Sequence, residues 1–145
     1  MNRPCRSHRH AAAHPIDTPD DARHALALAT DDGRLDCVVV ACVDSCRLPL
    51  TMFVFDGRPQ LDDDLELAVD AVVAAAASTD SPLSSIFLGS SRPTAEPGPT
   101  PDDERRWVRM ADTCRDAGVE LLDWFLLGRG AVCSVAEGLE PGPGW

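Results

Sequence analysis

The chain of 145 residues has no Lys, no Tyr and a single Gln, and its only aromatic rings besides four His are three Trp and four Phe. Without Lys there is neither a Schiff-base amine nor the lysine of a phosphate-binding loop. Positive charge is scarce: 13 Arg stand against 24 Asp and Glu, a net charge of −11. So acidic a chain repels a phosphate backbone, and direct nucleic-acid binding is not expected. No apolar run approaches the ~20 residues of a membrane helix. The N-terminal arginines are not followed by an apolar stretch, so no signal peptide is visible and a cytoplasmic location is expected. The Arg-only, Ala- and Asp-rich composition most simply reflects GC-rich coding, since a salt-adapted surface would carry more Glu than the six here.

What is present suits one domain. Apolar residues make up 44% of the chain, enough for a core at this length. Six cysteines occur, at 5, 37, 42, 46, 114 and 133, with no C-x-x-C. Disulfides would need a secretory setting. Cys37, Cys42 and Cys133 lie in apolar runs and read as small core residues. Cys42 and Cys46, the closest pair, leave a metal or redox role open as the lesser reading.

Residues 1–16 read as a flexible basic tail with three Arg and no acid, leaving ten Arg against 24 acids in the remainder. Cys5, His8, His10 and His14 in this tail have the chemistry of metal ligands, although an unstructured tail is the plainer reading. Thr18-Pro19-Asp20-Asp21 supplies an N-cap, a proline at the first helical position and first-turn acids, predicting a helix over 18–30 with Ala22, Ala25, Leu26 and Ala29 inside. The β-branched run 35–44 predicts a strand buried on both faces, joined by a hairpin at 45–48 to a second strand at 50–57. Asp62 is expected to cap a helix over 63–77, in which Leu65, Val69, Val72, Val73 and Ala76 keep helical spacing. A short strand over 84–90 follows. Thr100-Pro101-Asp102-Asp103 then opens a helix over 102–117, with Trp107, Met110, Ala111 and Cys114 on one side and Gly118 as its stop. Strands over 119–128 and 131–135 end the domain. Residues 138–145 read as a Pro/Gly-rich tail from which Trp145 can fold back.

The order α-β-β-α-β-α-β-β predicts an α/β (α+β) fold: a single layered domain over 17–137, with one mixed sheet and helices packed on its faces.

Two segments together resemble the RadC-type branch of the JAB/MPN (JAMM metalloprotease-like) domains. One is Asp36-Cys37-Val38-Val39-Val40-Ala41-Cys42-Val43-Asp44, an acid before an apolar strand ending in Asp. The other is Gly118-Val119-Glu120-Leu121-Leu122-Asp123, the more specific piece. The resemblance spans about 18–137 and implies the same element order. It further implies a zinc motif of His-x-His, seven residues, Ser, two residues and Asp, with a Glu upstream. Two imidazoles and a carboxylate would there hold an open tetrahedral ion whose water has a pKa near ~7. Set on this chain, the spacing survives but the imidazoles do not. The two His positions are Ser90 and Arg92, Thr100 stands for the Ser, Asp103 for the Asp, and Asp36 for the Glu. Neutral Ser is a poor zinc ligand, and Arg carries its own fixed charge.

The resemblance therefore implies a relic site with no catalytic residue, no metal and no cofactor, in which Arg92 pairs with Asp103 or Asp36 or points to solvent. Because Thr18–Asp21 and Thr100–Asp103 are the same tetrapeptide, helix capping alone accounts for both copies. The run Asp62-Asp63-Asp64 reads as helix N-terminal charge. The Ser pairs 84–85 and 90–91 lack a neighbouring His, and Gly128-Arg129-Gly130 lacks the following helix of a phosphate loop. The leading expectation is a catalytically silent module that binds an unidentified protein partner, as degenerate members of the wider group do. The alternatives are a divergent metal-dependent hydrolase working through Asp36 and Asp103, and a folded remnant.

Overall fold

The computed structural model describes residues 14–30, 37–56, 61–78, 80–92 and 97–145. Three helices, α1 (Pro19–Ala29), α2 (Leu61–Ala77) and α3 (Pro101–Asp116), surround strands β1 (Cys37–Asp44), β2 (Pro49–Asp56), β3 (Leu83–Ser91), β4 (Glu120–Leu127) and β5 (Val132–Ser134). The strands form one mixed sheet in the order β2-β1-β3-β4-β5, antiparallel except for β3 with β4. The architecture is α+β, with the element order that the sequence predicts.

Seven consecutive residues of β1, Cys37 to Val43, are buried. A strand with no polar face needs cover on both sides, and the two sides have separate cores. The even positions Val38, Val40 and Cys42 join Ile86, Leu88, Trp124 and Leu126 beneath α2 and α3. The odd positions Cys37, Val39, Ala41 and Val43 join Phe87, Leu122 and Phe125 beneath α1. α2 and α3 are the crossover connections of β2 to β3 and β3 to β4, which places them together on one face; Glu66 of α2 is bridged by Arg109 and Arg106 of α3 at 2.7 and 3.5 Å. On the other face Leu26 of α1 is fully buried over Gly89, where an added Cβ would sit 3.1 Å from its Cδ2.

Both Thr-Pro-Asp-Asp copies form complete capping boxes: Thr18 with Asp21, and Thr100 with Asp103. Gly118 follows α3 with φ +73°, the left-handed turn that glycine enters without strain. The helix expected to be capped by Asp62 already begins at Leu61, so Asp62 lies in its first turn.

The C-terminal segment is packed on the domain. Pro141 O accepts from Trp107 Nε1 at 2.7 Å on the α3 side, Gly144 N donates to Leu122 O at 2.8 Å, and Trp145 lies on the α1 side against Phe87. It covers the half of β4 that the three-residue β5 leaves unpaired. Gly144 passes so close that a Cβ there would meet Glu120 Oε1 at 2.6 Å.

Truncating Leu26 to Ala is expected to lower unfolding free energy by about 2–5 kcal/mol, because the side chain is fully buried between α1 and the sheet. Urea denaturation of the variant against the parent measures it.

Candidate functional site

The carboxyl ends of the parallel pair β3 and β4 open beside the start of α3, the kind of place where layered α/β sheets gather functional groups. Ser90, on the α3 side of β3, is fully buried; its Oγ accepts from Trp124 Nε1 at 2.9 Å. One residue past the strand, Arg92 donates its amide to Leu127 O at 2.9 Å, which continues the ladder and holds the backbone. Its guanidinium turns inward: Nη2 donates to Asp103 Oδ1 at 2.6 Å, and Cζ lies 6.0 Å from the Trp124 ring centroid. Asp103 retains 1% of its surface. Its other oxygen, Oδ2, accepts from Thr100 N at 2.8 Å, closing the capping box.

Asp103 therefore has two tasks. Its carboxylate starts α3 and neutralises Arg92, and an ion pair removed from water needs both kinds of partner to be tolerated. Ser90, Arg92, Thr100 and Asp103 come together at one end of the sheet. Asp36 lies outside the described residues. Its neighbour Cys37 is at the same end, donating its amide to Ser91 Oγ at 3.3 Å.

The donor set does not suit zinc. The Ser90 hydroxyl is committed to an indole, and both Asp103 oxygens are engaged, one by a guanidinium that brings a full positive charge into the position a metal would need. Among the described residues no three His, Cys, Asp or Glu side chains are grouped to hold a metal ion. Cys42 is buried and Cys46 exposed. Burial pushes the Cys42 thiol up to about 11 and the Cys114 thiol up to about 12, the opposite of a reactive thiolate. No described helix is long and apolar enough to cross a membrane.

A second polar cluster lies on the α1 face. Between Ile86↔Leu121 and Leu88↔Trp124 the register gains one residue on β4, and this bulge admits Asp123 into an otherwise apolar strand. Asp123 Oδ1 accepts from Ser134 Oγ at 2.7 Å and from its neighbour Trp124 N at 2.8 Å, while Oδ2 accepts from Trp145 Nε1 at 3.0 Å. Burial raises its pKa above 3.8, against the opposing pull of these donors and of Arg23. Every oxygen is spoken for, so the carboxylate anchors β5 and the C-terminal segment and is not poised as a base. The sequence signal that could have marked it is an Asp placed mid-strand between Leu122 and Trp124. Trp124 as the wall of the Arg92 site carried no such signal.

Comparison with protein-family models returns no match, and comparison with curated proteins returns none either.

Removing the guanidinium leaves a buried carboxylate uncompensated, so Arg92→Met is expected to cost about 3 kcal/mol. Adding Asp103→Asn should recover part of that, because no buried charge then remains; chemical denaturation of both variants decides it. Asp123 behaves oppositely with pH. A carboxyl whose folded pKa is raised binds more protons folded than unfolded between the two pKa values. Its contribution to stability therefore falls as pH rises through that window. Asp123→Asn lacks this loss, so its stability relative to the parent should rise between about pH 4 and pH 7, read from urea midpoints at the two values.

Proposed function

We propose that this chain is a RadC-like JAB-type domain that works without a metal, as a small protein-interaction module of the cytoplasm. The observation that carries the reading is the Arg92–Asp103 ion pair. A guanidinium bonded at 2.6 Å to a buried carboxylate supplies, from within the chain, the cation that a zinc ion would supply in the family the sequence resembles. The surroundings agree with that assignment. Ser90 is held by Trp124, Arg92 lies against the same indole, and Thr100 orders the second carboxylate oxygen. These contacts leave the site closed by its own side chains. With no open coordination position to argue from, hydrolysis has no support in the residues, whereas binding a protein needs only an ordered surface.

The test is elemental. Full-length protein with Cys5, His8, His10 and His14 replaced by Ala is expected to hold no stoichiometric zinc after dialysis, because Ser90 and Arg92 cannot stand in for two imidazoles. About one zinc per chain would overturn the metal-free reading and bring Asp36 and Asp103 forward as ligands of a hydrolase. In the same background Ser90→His with Arg92→His is expected to gain zinc binding, since the loop spacing and Asp103 are retained.

A further inference from the structure

The two edges of the sheet are treated differently. At the β4 side the chain protects itself: β5 is three residues long, Val135 N donates to Trp124 O, and Gly144 N donates to Leu122 O. At the other side β2 is an eight-residue strand, and among the described residues nothing pairs with its outer edge. Its residues Pro49 to Phe55 carry no charge, on a chain where 26% of residues are charged. Leu50, Phe53, Val54 and Phe55 are 40%, 42%, 39% and 41% exposed. A long, apolar, uncharged edge of this kind invites another strand.

Pairing with β1 fixes which way these side chains go. Phe53 opposite Val40 and Phe55 opposite Val38 share the α2 face, while Val54 opposite Val39 takes the α1 face. The two rings are stacked with centroids 6.4 Å apart. α2 packs over β1 and β3, and between it and β2 lies a groove of about 320 Å³ lined by Thr51, Phe53, Val72, Ala75, Ala76 and Leu83. Among the described residues the protection lies at the start of the strand, in Pro49 and in Leu50, the extra residue between Cys42↔Thr51 and Val43↔Pro49. From Thr51 to Asp56 the edge is regular.

We propose that the occupant of this edge is a second copy of the chain, its β2 added antiparallel about a two-fold axis to make one continuous ten-stranded sheet. A two-fold axis through Val54 sets Phe53 of each copy opposite Phe55 of the other on one face, between the two α2 helices, and brings the two Val54 together on the other. The patch is complementary to itself, as an isologous contact requires. Charge allows it as well. In this register the acid end of each strand, Asp56, falls opposite the uncharged Met52 of the other. The two Asp56 positions are then ~13 Å apart along the strands, beyond the ~8 Å over which salt leaves charges visible. Two-fifths of each large side chain amounts to ~300 Å² a copy and ~600 Å² for the pair before groove walls and strand backbone are added, the size of a weak, reversible association. Because the far edge is only the three-residue β5 beside the C-terminal strap, β2 is the one long open edge among the described residues, so association closes at two and does not propagate.

This inference gives the interaction reading its partner and rests on it, yet oligomeric state is read independently of zinc content, so either can fail alone. Sedimentation velocity on the full-length chain, from about 1 to 500 μM, should show a reversible shift from 15.5 kDa to twice that mass. Amides of Thr51–Asp56 should gain hydrogen-exchange protection over the same range. Phe53→Lys, and separately Val54→Lys on the opposite face, should each weaken dimerisation at least ~10-fold. Leu67→Lys, at an exposed α2 position outside the groove, should leave it unchanged. Both test positions are half-exposed; if one variant fails to fold by circular dichroism, the other still decides. A monomer at every concentration, a dimer indifferent to both substitutions, or growth beyond two copies would overturn the proposal.

Discussion

Burial of β1 on both faces is the constraint from which the rest follows. Seven consecutive side chains out of contact with water cannot be covered by one layer, so the chain needs helices above and below a single sheet. α2 and α3, as crossovers, take one face. α1, which precedes the sheet, is the helix that covers the other, and it comes close because Gly89 has no side chain. β3, the middle strand of the five, pairs antiparallel with β1 and parallel with β4, which sets where the carboxyl ends of β3 and β4 open and with them the place of Ser90 and Arg92.

That end of the sheet shows a polar cluster solved by mutual satisfaction. Asp103 caps a helix and neutralises an arginine with its two oxygens, and Trp124 contributes both an indole donor to Ser90 and a ring face to the guanidinium. Each group is held by another that is itself held, which is how a buried ion pair avoids the desolvation penalty of an unpaired charge. The Asp123 cluster follows the same rule on the opposite face, with Ser134 and Trp145 as donors.

The fold was legible where local chemistry decides it. The β-branched run at 35–44 suits a strand covered on both sides, and Cys37–Asp44 is one. The two Thr-Pro-Asp-Asp copies name the first turns of α1 and α3 and form the boxes their spacing requires. The apolar stripe of α3 was legible too, and so was the meeting of Thr100 with Asp103 at its start. What the sequence concealed depends on register and on distant partners. Periodicity reads alternation and cannot see a residue inserted into a ladder, so the bulges at Leu50 and Asp123 were hidden. The bond from Trp124 to Ser90 joins residues 34 apart, and only the parallel pairing brings them together. Gly138 to Trp145 read as a tail because Gly and Pro carry no periodic signal, although the segment is bonded to both faces.

That segment has a consequence for how the domain comes apart. It is fastened to α3 through Trp107 and Pro141, and to the α1 layer through Trp145, which also lies under the Arg47 guanidinium at 5.9 Å. Two helical layers joined only by a shared sheet can fray separately, each with its own opening free energy. Here a single strip of chain grips both, so loosening one layer slackens the clasp on the other. The domain should behave as one cooperative unit, with its exchange-protected amides on the two faces opening together.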